Sequence, residues 1–134
     1  MKRLAILSIT SLCLALLTGP VFAGNGLLAV ATTAADSGLG HAQEALDHGG
    51  MGHLKVMIQH AEAAVADSEK AVRNAREEYG KSGNRHVKEF IDHTEEGIGH
   101  MQEAIAHARQ DHGGIALSHA ENGMKHLKAG RTHL

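Results

Sequence analysis

The sequence predicts an all-α fold, an up-down antiparallel four-helix bundle built from two similar helical hairpins, on three observations. Apolar residues recur at alternating spacings of three and four through four segments, which is the stripe of an amphipathic helix. Short breakers separate those segments, and short connections make neighbouring helices antiparallel. Finally, HAQEALDHGGMGHLKVMIQHAE (residues 41–62) lies over HMQEAIAHARQDHGGIALSHAE (residues 100–121) without a gap. The two hairpins therefore read as copies of one unit. No segment sustains the period of two that a strand requires.

The elements follow in order. Lys2 and Arg3 precede an apolar run from Leu4 to Leu17, short for a membrane span. Gly19-Pro20 breaks it, and Val21-Phe22-Ala23 has the small-x-small form of a cleavage site. Residues 1–23 are thus expected to be a secretory signal cut after Ala23, which implies a periplasmic protein. Residues 24–33 are expected to be a flexible segment, and residues 34–134 to form the bundle. The first helix is weak, from about Ala34 to His48, with Thr32 or Thr33 as its cap. Gly49-Gly50-Met51-Gly52 is a turn. The second helix runs from about His53 to Tyr79, and Gly80-Lys81-Ser82-Gly83-Asn84 turns into a third from about Arg85 to Ala108. Asp111 is the expected cap of a fourth helix ending near Gly130.

Signal removal takes away Lys2, Arg3 and Cys13, the only cysteine, leaving about 111 residues and moving the formal charge from −2 to about −4. Disulfide and thiolate chemistry are then excluded. A mildly acidic chain without a basic cluster does not bind nucleic acid, and no membrane contact is expected once the signal is gone. The core must be thin, since Phe90 and Tyr79 are the only aromatic residues beyond the signal. Glycines at 97, 99, 123 and 130 interrupt helical patterns, each costing about 1 kcal/mol relative to alanine.

The twelve histidines carry the strongest signal. They stand at 41, 48, 53, 60, 86, 93, 100, 107, 112, 119, 126 and 133, stepping by seven except for the five-residue steps 48–53 and 107–112. Counting each heptad from its histidine, the sixth position holds Leu46, Ile58, Val65, Ile91, Ile98, Ile105, Leu117 and Met124. The second holds Ala42, Leu54, Ala61, Val87, Thr94, Met101, Ala120 and Leu127. These two positions form the expected core seam, and at about 100° per residue histidine lies roughly 120° from its middle. Histidine flanks the core. The fourth position holds Glu44, Glu89, Glu96 and Glu103, each three residues after one histidine and four before the next. Residues at those spacings share a helix face. If the five-residue steps mark hairpin turns, histidines fall level across each hairpin: His48 with His53, His41 with His60, His107 with His112, His100 with His119, His93 with His126, and His86 with His133.

Histidines seven apart on one helix are about 10.5 Å apart, too far to share an ion bound at about 2 Å. A histidine, its following glutamate and the level histidine of the facing helix make a three-ligand set. The expected sets are His41/Glu44/His60, His48/Glu44/His53, His93/Glu96/His126, His100/Glu103/His119 and His107/Glu103/His112. His86 and Glu89 open the same ladder and join the candidate ligands. Imidazole and carboxylate suit Cu(II), Ni(II) and Zn(II), with Cu(II) first in the Irving–Williams order. Ca(II) and Mg(II) prefer all-oxygen cages. Met51, Met57, Met101 and Met124 offer thioethers to Cu(I), although Met101 and Met124 occupy core positions. The alternative is a pH-responsive envelope interaction protein, because imidazole titrates near pH 6.5. No HExxH, CxxC, GxSxG or CxxCH occurs, so catalysis is not expected.

HAQEALDH, the H-x4-H turn and the repeated H-x-x-E-A-aliphatic-x-H units resemble the small metal-binding protein family over about residues 34–134. The resemblance implies a periplasmic, histidine-rich four-helix bundle that binds copper and other divalent metals at several reversible sites. It implies a role in copper storage, buffering or trafficking, with a copper donor or acceptor protein as a further partner. A monomer is expected, with a metal-linked dimer as the other state. The sequence departs from the family's densest pattern at Ala34, Asp67 and Asn74 in the histidine position, and at Ile115, Asn122 and Ala129 in the glutamate position.

Overall fold

The structure, a computed structural model, describes residues 25–134. The expected signal sequence lies outside the described residues. Four helices follow one another: α1 (Asn25–Gly50), α2 (Leu54–Ser82), α3 (Arg85–Arg109) and α4 (Gly113–Arg131). α1 packs most extensively on α2 and α3 on α4; α2–α3 and α1–α4 contacts close the bundle. This is the expected up-down four-helix architecture, with the two hairpins side by side. No described helix is long and apolar enough to cross a membrane.

α1 begins well before Ala34 and takes in residues 25–33, which sequence reasoning assigned to a flexible segment. The reason is burial. Ala31, Ala34 and Ala35 pack with Ala71, Val72, Ala75, Val87, Phe90 and Ile91 in one of two core clusters, and Leu28 lies against it. Thr33 is no cap, since its hydroxyl donates to the Ala29 carbonyl within the helix at 2.9 Å. α2 likewise runs three residues beyond Tyr79. It ends where Gly83 adopts φ 62° and donates its N–H to the Tyr79 carbonyl, the left-handed stop that glycine accepts without strain. Asn84 caps α3, its side chain accepting from the His86 N–H at 2.9 Å.

Asp111 is not the cap of α4. It sits at φ 59° inside the turn, and His112 occupies the cap position without a side-chain bond. The turn closes through its backbone instead. His112 N–H donates to the His107 carbonyl at 3.0 Å, as His53 N–H does to the His48 carbonyl at 2.9 Å. Asp111 corresponds in the repeat to Gly52, which takes φ 78°. The repeated sequence thus folds into a repeated turn.

The core stripe is broader than the second and sixth heptad positions. The fifth position is also buried, through Ala45, Met57, Ala64, Phe90, Ala104 and Ala116, and Gly97, Gly123 and Gly130 join it. Leu46, Leu54, Ile58 and Val65, by contrast, only lie against the core clusters. Small residues there let the helices of a hairpin approach closely. A Cβ added at Gly97 would meet the Gly123 carbonyl oxygen at 3.1 Å, and one at Gly123 would meet the Gly97 carbonyl oxygen at 3.1 Å. Moving the core toward the fifth position also moves it toward the histidines, which places them at the edge of the packed interior.

Candidate metal centres

Histidine and glutamate reach one another across the two intrahairpin seams, where the small-residue contacts hold the backbones together. His41 Nδ1 and His60 Nδ1 lie 3.1 and 2.8 Å from Glu44 Oε2. His100 Nδ1 and His119 Nδ1 lie 3.1 and 2.9 Å from Glu103 Oε2. His126 Nδ1 lies 2.8 Å and His93 Nδ1 3.9 Å from Glu96 Oε2. At the far end of the second hairpin, His86 Nδ1 and His133 Nδ1 lie 3.4 and 3.3 Å from Glu89 Oε2. Among the described residues these are the four groups whose ligand atoms converge: His41/Glu44/His60, His86/Glu89/His133, His93/Glu96/His126 and His100/Glu103/His119.

Three of the five expected sets come together as read. The sets His48/Glu44/His53 and His107/Glu103/His112 do not, because their glutamates turn the other way. Each Cα–Cβ bond on a helix tilts toward the N-terminus, so Glu44 leans back to His41 and Glu103 back to His100. The turn histidines are left as imidazole pairs, with ring centroids 5.8 Å apart for His48–His53 and 5.9 Å for His107–His112. The fourth group includes His133, which sequence reasoning placed level with His86 but left out of the candidate ligands. Asp67, which replaces histidine in its heptad, approaches His41 Nε2 at 4.0 Å.

All six level pairs are in place, and diagonal contacts join them. His107–His119 stack at 5.2 Å, His100–His126 at 5.4 Å and His93–His133 at 5.6 Å. Together with the level pairs they make one unbroken column of the eight histidines of the α3–α4 hairpin. His48–His60 stacking at 5.4 Å joins the four histidines of α1 and α2 in the same way.

The donor geometry suits a cation. Bonds of about 2.0–2.2 Å put neighbouring ligands about 2.9–3.3 Å apart, close to the separations in these groups. His93 Nδ1 and His119 Nδ1 are buried without a hydrogen-bond partner. The short His119–Glu103 separation is therefore not an aligned hydrogen bond. A buried polar nitrogen left unpaired is costly, and an ion bound by the group would satisfy it. With its imidazoles neutral, as metal binding requires, each group would present one negative charge. Glu89 is held toward its charged form by a neighbouring cation. Its carboxyl lies below the usual glutamate range because Arg85 Nε donates to it at 2.7 Å; partial burial opposes the shift, and His133 and His86 add to it.

A family model described as small metal-binding protein matches residues 1–130 of the chain. Comparison with curated proteins finds no match.

Proposed function

Because the chain belongs to the small metal-binding protein family, we propose that it is a periplasmic, multi-site buffer that holds divalent copper for storage or trafficking. Metal binding as such follows from the family, which is not a family of enzymes, and from residues suited to hold metal. The observation that carries the finer reading is the fourfold recurrence of a His–Glu–His group along two helix seams. A catalytic centre is built once around a pocket, whereas repetition of one open site provides capacity. Nitrogen and oxygen donors without thiolate favour Cu(II) over Ni(II) and Zn(II), and they leave Mg(II) without its oxygen shell.

Each imidazole must be neutral to bind, so metal uptake competes with protons and acidification releases the ion. The stacked columns place an occupied group beside the next one, so ions load along a seam rather than at one isolated point. The periplasmic reading is supported by the charged start, apolar run and small-x-small motif of residues 1–23.

Chelator-competition calorimetry with Cu(II), Ni(II), Zn(II) and Mg(II) tests the metal assignment. Copper should be retained against the strongest competitor, nickel and zinc less firmly, and magnesium not at all. Zinc retained ahead of copper would overturn the preference. Compartment is tested by the mass of the protein recovered from a bacterial host: a chain beginning at Gly24 is expected, and a chain retaining residues 1–23 would count against export by cleavage.

A further inference from the structure

The two hairpin turns hold imidazole pairs that no carboxylate joins, and their donor chemistry therefore differs from that of the four mixed groups. In the first turn, closure by the His53 N–H on the His48 carbonyl at 2.9 Å brings His48 Nδ1 to 3.5 Å from His53 Nδ1. With bonds of about 2 Å, donors at that separation subtend about 120° at a shared ion. That is the opening of a three-coordinate site, wider than the right angle between neighbours in the tetragonal geometry of Cu(II).

A third donor belongs to the same turn. Met51 lies in the four-residue connection between the two histidines, and its side chain is 63% exposed. Met57, Met101 and Met124 are buried in the core, so Met51 is the methionine among the described residues that packing does not account for. Gly49, next to His48, has no room for a side chain, since a Cβ would meet Met57 Sδ at 2.8 Å and Leu117 Cδ1 at 3.2 Å. The turn is thus pressed onto the core at Gly49, while Met51 and His53 are exposed and His48 is half-buried.

The geometry points to a cuprous site at this turn: His48, His53 and the Met51 thioether hold one Cu(I), separately from the His–Glu–His groups. Thioether donors select Cu(I), and carboxylates favour harder ions. Neutral donors suffice for a monovalent cation, whereas a divalent ion gains from the glutamate that the other groups supply. The second turn is a built-in comparison. His107 and His112 close in the same way, but Gln110 stands where Met51 does in the repeat, so a thioether is missing.

The test supplies Cu(I) anaerobically as its bicinchoninate complex to the purified protein and to M51L, with ligation read by X-ray absorption at the copper edge. The native protein should withdraw a single tight equivalent with sulfur in its coordination shell. M51L should lose the sulfur signal and hold that equivalent about tenfold more weakly, with Cu(II) uptake unchanged. Nitrogen-only ligation in the native protein, or a sulfur signal that survives in M51L, would overturn the site. Cu(II) titration of the same samples separates the two readings. Loss of the divalent sites with sulfur-ligated Cu(I) intact defeats only the divalent buffer, and the reverse result defeats only the turn site.

Discussion

A glutamate three residues after a histidine touches it, and its tilt toward the helix N-terminus decides which of two flanking histidines it serves. Glu44, Glu96 and Glu103 each then meet the level histidine of the facing helix at 2.8–2.9 Å. Glu89 differs in having Arg85 beside it, which lowers its carboxyl titration. The stabilisation this gives is present above the ordinary glutamate value and is lost as pH falls through the lowered folded value. Carboxyl-detected NMR should therefore place the Glu89 midpoint below the usual glutamate range, and R85Q should raise it; a midpoint that ignores R85Q would remove Arg85 as the cause. The heptad phase made most of these residues legible in the sequence. His133 lies past the expected end of the fourth helix near Gly130, and the expected ligand set omits it. In the folded chain, the His133 N–H donates to the Gly130 carbonyl at 2.9 Å, and that bond carries the helical register far enough to bring its ring to Glu89.

The helices meet through residues that hydropathy scarcely registers. Alanine and glycine at the fifth heptad position look like filler in the sequence, yet they set how near α3 comes to α4. Gly97→Ala should destabilise the protein by about 1–3 kcal/mol, as overpacking does. The new Cβ would crowd Leu127 at 2.8 Å and the Gly123 carbonyl at 3.1 Å, and only the leucine can move aside. Gly99→Ala, with nothing within 4 Å, should instead stabilise by up to about 1 kcal/mol through helix propensity. Urea denaturation of the two variants checks both signs, and equal effects would contradict the close crossing. The sequence marked both glycines as helix defects, because spacing alone cannot tell a glycine at a contact from one facing solvent. The same limit hid the start of α1, where the buried residues are alanines, Ala31, Ala34 and Ala35, and Leu28 only lies against their cluster.

In the whole molecule, every mixed group lies within a hairpin, one between α1 and α2 and three between α3 and α4. The hairpins are joined to each other by the apolar clusters and by ion pairs at the rim, among them Arg131 with Asp36, Arg109 with Glu62 and Arg76 with Glu95. An ion bound to the folded state alone stabilises it by about 2.7 kcal/mol at a hundredfold excess over its dissociation constant. Cu(II) should accordingly raise the Tm and a chelator should return it, with helical circular dichroism at room temperature little changed. A Tm indifferent to saturating copper would mean that the ions do not bridge helices. The architecture itself was legible because imidazole, invisible to hydropathy, keeps strict phase through both hairpins and reveals which faces lie level. What the ladder serves turns on the four glutamates that complete its groups. Native mass spectrometry of Cu(II) uptake under chelator competition, on the native protein and on a variant carrying E44Q, E89Q, E96Q and E103Q together, puts that most directly. Four retained copper adducts in the native protein, lost together in the variant with its fold intact, are predicted; equal retention by both proteins would contradict the account.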